Sequence, residues 1–394
     1  MPEPTDNPLR RLLVTNQVVG PLMVQLLDGL EESGTHCLAV TGRVDRCEDQ
    51  KLRFTVIDAA DLRKRPAWKR IWTWGVFALQ SARQMLRHRR TPALVVSNPP
   101  VTALLCPVLK RLFGVRYALL VYDVYPEAAE RTGMIGRRAG NVWRALSRRA
   151  MLDAEGVVTI GTRMARTLQT HLRNEEPLHI DVLPNWADTD FVRPIPKPHN
   201  PFAREHGLVD KLVVTYSGAF GATHDVASIV TAAELLQDRP EVHFMLIGGG
   251  TREAEVRDLV QRKNLPNLTL LPLQPWGVVP QSFAVADLSI VCLDEAYKGI
   301  SVPSKTYYAL AAGAALLAIS PPDTELTDLV AEEQCGRHVL PRDPHGLAEA
   351  VRHYCRNREE LRQAGGNARR AAEQKYSQDV MIRQWVRTLR RMLG

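Results

Sequence analysis

The sequence predicts an α/β protein made of two Rossmann-like, doubly wound parallel-sheet domains that face a cleft. Three observations predict it. Short apolar runs alternate with longer helical patterns through both halves, which is how right-handed βαβ units read when helices cover both faces of the sheet. The 394 residues exceed one ordinary core and suit two. A proline-rich stretch, Pro194, Pro196, Pro198 and Pro201 in RPIPKPHNPF, divides the halves and reads as a hinge rather than a helix or central strand.

In the first half, residues 12–15 are the first strand. Residues 21–32 follow as a helix, opened by Pro21 and carrying Leu22, Val24, Leu26, Leu27 and Leu30. Strands are expected at 37–41 and 54–57, then a long helix at 68–87. A strand at 93–97 runs into Asn98-Pro99-Pro100 and is followed by a helix. Strand 117–122, helix 139–151, strand 156–160, helix 164–172 and strand 180–183 complete the set. The second half repeats the pattern. Strand 212–217 ends at Gly218, helix 226–237 follows, and strand 242–247 ends at Gly248-Gly249-Gly250. Helix 253–263, strand 268–271, short helix 279–284, strand 288–292, helix 304–312 and strand 315–319 come next. The expected domains are 1–194 and 208–374, with the hinge at 195–207. Residues 375–394 form a last helix that packs back on the first domain.

Composition narrows the function classes. Hydrophobic residues make up 45% and charged residues 24%, which is ordinary for a globular protein. No apolar run reaches the roughly 18 to 20 residues of a membrane span. The opening MPEPTDNPLRR lacks the apolar core of a secretion signal, so a cytoplasmic location is expected. The six cysteines form no C-x-x-C pair and read as reduced thiols; no metal site is expected. Residues 1–195 hold 28 Lys and Arg against 20 Asp and Glu, whereas the remainder holds 23 of each. The whole positive excess therefore lies in the first half. It fits an anionic partner such as a membrane surface, a lipid-linked phosphate or nucleic acid, or else a solvated Arg-rich surface. Within it, Arg63–Arg90 interleaves Arg63, Lys64, Arg65, Lys69, Arg70, Arg83, Arg87, Arg89 and Arg90 with Trp68, Trp72, Trp74 and Phe77. That composition suits a helix lying on an anionic bilayer, or one whose aromatics belong to the core. No nucleic-acid reader motif accompanies it, so nucleic acid is not expected as a partner.

Ligands of doubly wound sheets bind outside the carboxyl ends of the strands, so chemistry is expected in those loops. Ser217-Gly218-Ala219-Phe220-Gly221 follows the first strand of the second domain, where glycines let backbone N–H groups approach a phosphate. The alternative is a plain strand-to-helix turn. Gly299–Lys305 leads into a helix that Ser301 or Ser304 can cap, with Pro303 in its first turn and Gly313 past its end. Lys305 adds a full charge beside the helix start, which together suit a diphosphate. In the first domain Asp123 stands just past a strand and can orient or deprotonate an acceptor hydroxyl, or simply cap a turn. Asp188-Thr189-Asp190 looks like a metal-binding D-x-D pair but reads here as turn chemistry.

These stretches resemble family 4 glycosyltransferases of the bacterial cell-surface polysaccharide branch. The resemblance runs through VYDVYPEAAERTGMIG, VVTIGTRMARTL and DVLPNWADTDFVRP, then VVTYSGAFGATHD, HFMLIGGG and ADLSIVCLDEAYKGISVPSKTYYALAAGAALLAIS. It implies the GT-B architecture and a retaining, metal-independent transferase without cofactor. The donor, a nucleotide-diphosphate sugar, would be held mainly by the second domain and the acceptor by the first. The donor set is Gly20, Gly218, Phe220, Gly221, His224, Gly248, Gly249, Glu295, Ser304, Lys305 and Tyr308, and the catalytic pair is Asp123 and Lys305. The base would lie near Gly248–Gly250 and residues 273–276. The acceptor would be a lipid-linked or other saccharide, reached by peripheral membrane contact of the basic first domain. Two family glutamates are replaced by Ile300 and Tyr308, with Glu295 as a substitute for the ribose-binding one. A nucleotide-sugar epimerase, which needs no acceptor, and a non-enzymatic binding module with a degenerate donor site are the competing readings.

Overall fold

The computed structural model describes residues 9–45, 51–63, 66–172, 178–221 and 225–394. Of the residues named above, Lys64, Arg65 and His224 lie outside the described residues, as does one of the six cysteines, Cys47. The chain forms two compact units. The first comprises Met1–Pro184 with Gly299–Ser301 and Asp379–Gly394, and the second Asn185–Lys298 with Val302–Gln378.

The first unit holds a seven-stranded sheet: β1 (Arg11–Thr15), β2 (His36–Thr41), β3 (Thr55–Asp58), β4 (Ala93–Val96), β5 (Tyr117–Val121), β6 (Gly156–Thr159) and β7 (Ile180–Val182). Its order is β3-β2-β1-β4-β5-β6-β7, all parallel. Helices cover both faces, so β1 and β4 bury consecutive residues instead of alternating ones. The C-terminal helix Gln378–Leu393 belongs to this unit and buries Met381, Trp385, Leu389 and Met392. Two glycines make room for it. A Cβ at Gly29 would lie 2.6 Å from Ile382, and one at Gly156 would lie 2.6 Å from Met392 Cε. Arg390 then donates to Ser33 O at 2.9 Å and Arg391 pairs with Asp181.

The second unit holds β8 (Leu212–Ala219), β9 (Val242–Gly249), β10 (Leu268–Leu271), β11 (Leu288–Cys292), β12 (Ala315–Ile319) and β13 (Gly336–Val339). The order is β10-β9-β8-β11-β12-β13, again parallel. Both sheets thus run 3-2-1-4-5-6 through their first six strands, with the reversal at β1 and β8. Successive residues of β8 feed opposite cores. Val213 packs with Phe202, Met245 and Val285, whereas Leu212 and Val214 pack with Ile229, Val230 and Leu347.

The structure departs from the sequence expectations at four places. The proline-rich stretch is not a bare hinge. It contains a short helix, Pro201–Glu205, because Pro201 sits at the first helical position and Asn200 accepts from Phe202 N and Ala203 N. Phe202 is buried in the second unit, which begins at Asn185, ten residues before the expected boundary region. Arg369 ties the preceding segment down by donating to Thr189 O and Val192 O at 3.1 Å each. Strands β8 and β9 run two residues further than expected, pairing Gly218 with Gly248 and Ala219 with Gly249. Finally, helices Glu325–Glu333, Pro344–Arg356 and Arg358–Gln374 and strand β13 were not assigned from sequence. Arg358–Gln374 buries Leu361, Ala364, Gly365, Ala368, Ala371 and Ala372, so beyond that one leucine its inner face is small residues that do not reveal its period.

Candidate functional site

The carboxyl end of the second sheet gathers five of the expected donor residues. Gly218 has φ +143°, a conformation that a side chain would strain. Gly248 lies against Gly218 O, and a Cβ there would also meet Phe220 Cζ at 2.7 Å. Gly249 adjoins Glu253 and Leu273. Phe220 is buried with its ring 6.0 Å from that of Tyr216, so its side chain is packed away from a ligand. Lys305 reaches into this group from the helix Lys305–Ala311. Its Nζ is 3.5 Å from where a Gly218 Cβ would stand and 3.7 Å above the Tyr216 ring.

The stem of Lys305 is partly accessible, but its Nζ is buried and has no hydrogen-bond partner among the described residues. Burial pushes the ammonium down to about 8, opposed only by the nearby Cys292 thiol. Burial in turn holds Cys292 up at about 11. A cation over an aromatic face recovers part of the lost hydration, but no carboxylate among the described residues neutralises it. A buried, unneutralised ammonium at a glycine-lined strand end is receptive to an anion. Tyr216, which presents its face to Lys305 and donates to Ala219 O at 2.7 Å, was missed from sequence, because an aromatic residue inside an apolar strand reads as core.

Other expected features are less available than the sequence suggested. Neither Ser301 nor Ser304 caps the helix with its side chain. The helix spans seven residues, and its Thr306 and Tyr307 N–H groups already donate to Pro303 O and Ser304 O at 3.2 and 3.3 Å. The Phe220 N–H is likewise committed to Gly249 O at 2.8 Å. Lys305, rather than a row of free amides, supplies the positive charge. Ser304 and Glu295 are exposed, the latter on a 3-10 turn opened by Asp294. Tyr308 stands in an aromatic group with Trp276 at 6.4 Å and Phe283 at 5.7 Å. Asp188 accepts from Asp190 N and Phe191 N, which makes the D-x-D stretch a side-chain-closed turn. Among the described residues no cluster of His, Cys, Asp or Glu could hold a metal ion.

In the first unit Gly20 precedes the helix Pro21–Glu32, with open space where a side chain would stand. Asp123 lies past β5 and hydrogen-bonds Ser301; burial raises its carboxyl and the serine bond partly offsets that. The segment Gly299–Ser301 is fixed beside it, with Val124 N donating to Ile300 O at 3.1 Å and Thr167 Oγ1 to Gly299 O at 2.7 Å. Asp123 and Ser301 are far apart in the chain, and no local spacing announces the pair.

The central strand of the second unit thus ends in glycines beside a buried lysine. Residues 200–371 match the family model described as glycosyl transferases group 1, and the chain carries a group 1 glycosyltransferase domain there. Among proteins of known name, it is 26% identical over 300 residues to WbjE of Pseudomonas aeruginosa, named as a glycosyltransferase, covering 76% of this chain and 74% of that one. It is 25% identical over 272 residues to WcaI of Escherichia coli strain K12, named for colanic acid biosynthesis, covering 66% of each. Among solved structures, HepE of Anabaena in complex with UDP superposes with a TM-score of 0.73 at 13% identity, over 96% of this chain and 99% of that one. HepE has also been solved with UDP-glucose. These likenesses establish the GT-B fold of the two sheets.

Proposed function

We propose that this glycosyltransferase is a retaining enzyme of the family 4 type that moves a sugar from a nucleotide-diphosphate donor to a lipid-linked saccharide in cell-surface polysaccharide synthesis. The observation that carries the reading is the buried Lys305 ammonium at Gly218 and Gly248. A donor diphosphate placed there gives the ammonium its missing partner. As the bond from the sugar C1 to the diphosphate oxygen breaks, the charge that develops on the leaving group meets Lys305. The acceptor oxygen bonds to C1 from the same face, and its proton passes to the departing diphosphate. Preorganised charge of this kind contributes roughly 3 to 4 kcal/mol per donor. Lys305 thereby fills the role a metal ion has elsewhere, and the transfer proceeds without one.

Asp123, held by Ser301, orients the acceptor hydroxyl in the first unit. The names of WbjE and WcaI support a role in surface polysaccharide synthesis, and the complexes of HepE make UDP and UDP-glucose the first donors to try. The basic first half supports work at the cytoplasmic face of a membrane, where a lipid-linked acceptor resides. The test is thermal stabilisation by UDP, GDP, ADP, CDP and TDP. A ligand at 100 times its dissociation constant adds about 2.7 kcal/mol. A shift with one base, absent in Lys305→Ala, is the expected result; no shift with any of them would overturn the donor site.

A further inference from the structure

Within the first unit the segment Gly299–Ser301 is gripped from two sides. On one side is the loop after β5, where Asp123 bonds Ser301 and Val124 N donates to Ile300 O. On the other is the helix Thr162–Thr170, whose Thr167 Oγ1 donates to Gly299 O at 2.7 Å. These two sides are also tied to each other. The loop passes through Tyr125 and Pro126 into the helix Glu127–Arg131, and the helix Thr162–Thr170 ends at His171. His171 Nε2 lies 2.9 Å from Glu127 Oε1. The contacts form a closed circuit from Ser301 through Asp123, Glu127, His171 and Thr167 back to Gly299.

The Glu127–His171 link is built as a directional contact rather than as filling. His171 is buried, and neither its Nδ1 nor Glu127 Oε2 has a hydrogen-bond partner among the described residues. Arg144, from the helix Arg137–Asp153, donates to the same Glu127 oxygen at 2.9 Å and to Glu130 at 3.0 Å. Burial raises the Glu127 carboxyl, but the His171 and Arg144 bonds outweigh it and hold it below its ordinary value. An ionised carboxylate only accepts, so His171 Nε2 carries the proton. Apolar side chains of the same volume would be about as stable as such a buried network. They would not fix one geometry, whereas each of these bonds has a length and a direction. The geometry that is fixed belongs to the chain four residues beyond Asp123. Tyr125, between the two, stacks on Trp143 at 5.6 Å, which removes slack from the intervening loop.

We propose that His171 and Glu127 are positioning residues for Asp123: by joining the two elements that grip Gly299–Ser301, they hold the Asp123–Ser301 pair where the carboxylate meets the acceptor hydroxyl. The inference rests on the role given to Asp123 under the proposed function. The experiment follows the Asp123 carboxyl by carbon-13 NMR of the full chain labelled at aspartate, the Asp123 signal being the one absent from Asp123→Asn. The Ser301 bond favours the ionised form, so its loss moves the titration midpoint to higher pH. Ser301→Ala sets the direction. His171→Leu and the near-isosteric Thr167→Val should each shift the midpoint the same way, and His171→Gln, whose amide can still donate to Glu127, should bring it back. Thr35→Val removes a buried bond to Leu9 O at the amino end of the same sheet and should leave the midpoint at the parent value. In a transfer assay His171→Leu should lower kcat roughly tenfold or more, with nucleoside-diphosphate affinity unchanged. A midpoint that stays at the parent value in both His171→Leu and Thr167→Val would overturn the proposal. So would an equal shift in Thr35→Val, because general loosening of the unit would then account for it. The midpoint is read without substrate, so undiminished transfer in Asp123→Asn would count against the acceptor role of Asp123 instead.

Discussion

The two sheets share one strand order and part company at the carboxyl end of the central strand. In the first unit β1 runs into Asn16 and Gln17. The Gln17 amide is wholly buried and donates to Ala60 O and Thr73 O at 3.1 and 3.2 Å, while its backbone carbonyl accepts from Gly42 N at 3.0 Å. That strand end is filled by the protein's own side chains, with Asn16 Oδ1 and Gln17 Oε1 buried there without a hydrogen-bond partner among the described residues but no cation among them. In the second unit the equivalent end is Gly218 against Gly248, with the unpartnered Lys305 ammonium beside it. The topology offers a crevice in both units, but side chains decide whether it is closed by a glutamine or left receptive to an anion. The fold alone does not assign the function.

The largest expected effect separates chemistry in one unit from binding in the other. Asp123→Asn weakens the orientation of the acceptor hydroxyl and should lower transfer roughly 10²-fold while leaving nucleoside-diphosphate affinity unchanged, which a kinetic assay beside a binding titration reads directly. Next comes Gly248→Ala. A Cβ there meets Gly218 O and the Phe220 ring, both held by the core, so the second unit should lose about 2 to 4 kcal/mol in denaturant unfolding together with nucleotide binding.

The third effect concerns pH. The Lys305 ammonium is depressed to about 8 in the folded chain from 10.5. Below about 8 it is charged in both folded and unfolded states, and the full cost of burying it is present. Between about 8 and 10.5 the folded state sheds that proton while the unfolded state keeps it, so the Lys305 contribution to stability should rise with pH, by about 3 kcal/mol at most. Buried thiols such as Cys292, raised from 9.0 to about 11, pull the other way over the same range. The rise is therefore read as the difference between the parent and Lys305→Met. The ammonium form is the one that meets a diphosphate, so nucleotide affinity should hold below about 8 and weaken above it. The smallest effect is Gln17→Ala, which leaves two buried carbonyls without their donor and should cost roughly 1 to 3 kcal/mol of stability with nucleotide affinity intact.

Much of this was legible in sequence because buried parallel strands are continuous apolar runs. The helix Glu253–Lys263 and the strands Leu268–Leu271, Leu288–Cys292 and Ala315–Ile319 fall where the pattern puts them. The glycines and Lys305 were legible too, since a glycine at a strand end and a lysine at a helix start have few other reasons to adjoin. What escaped was non-local or disguised. Tyr216 hides in its strand, Ser301 meets Asp123 across the chain, and the helix Arg358–Gln374 buries mostly alanines in place of leucines. The amides of the helix start and of Phe220 looked free in sequence, because only the folded chain shows that neighbouring carbonyls have taken them.

The central claim is that the second unit's strand end binds a diphosphate through Lys305. Calorimetric titration of UDP into the parent chain, Lys305→Ala and Gln17→Ala at neutral pH tests it most directly. The account predicts equal affinity for the parent and Gln17→Ala, and a loss of roughly 100-fold or more in Lys305→Ala. UDP binding that is undiminished in Lys305→Ala would contradict it.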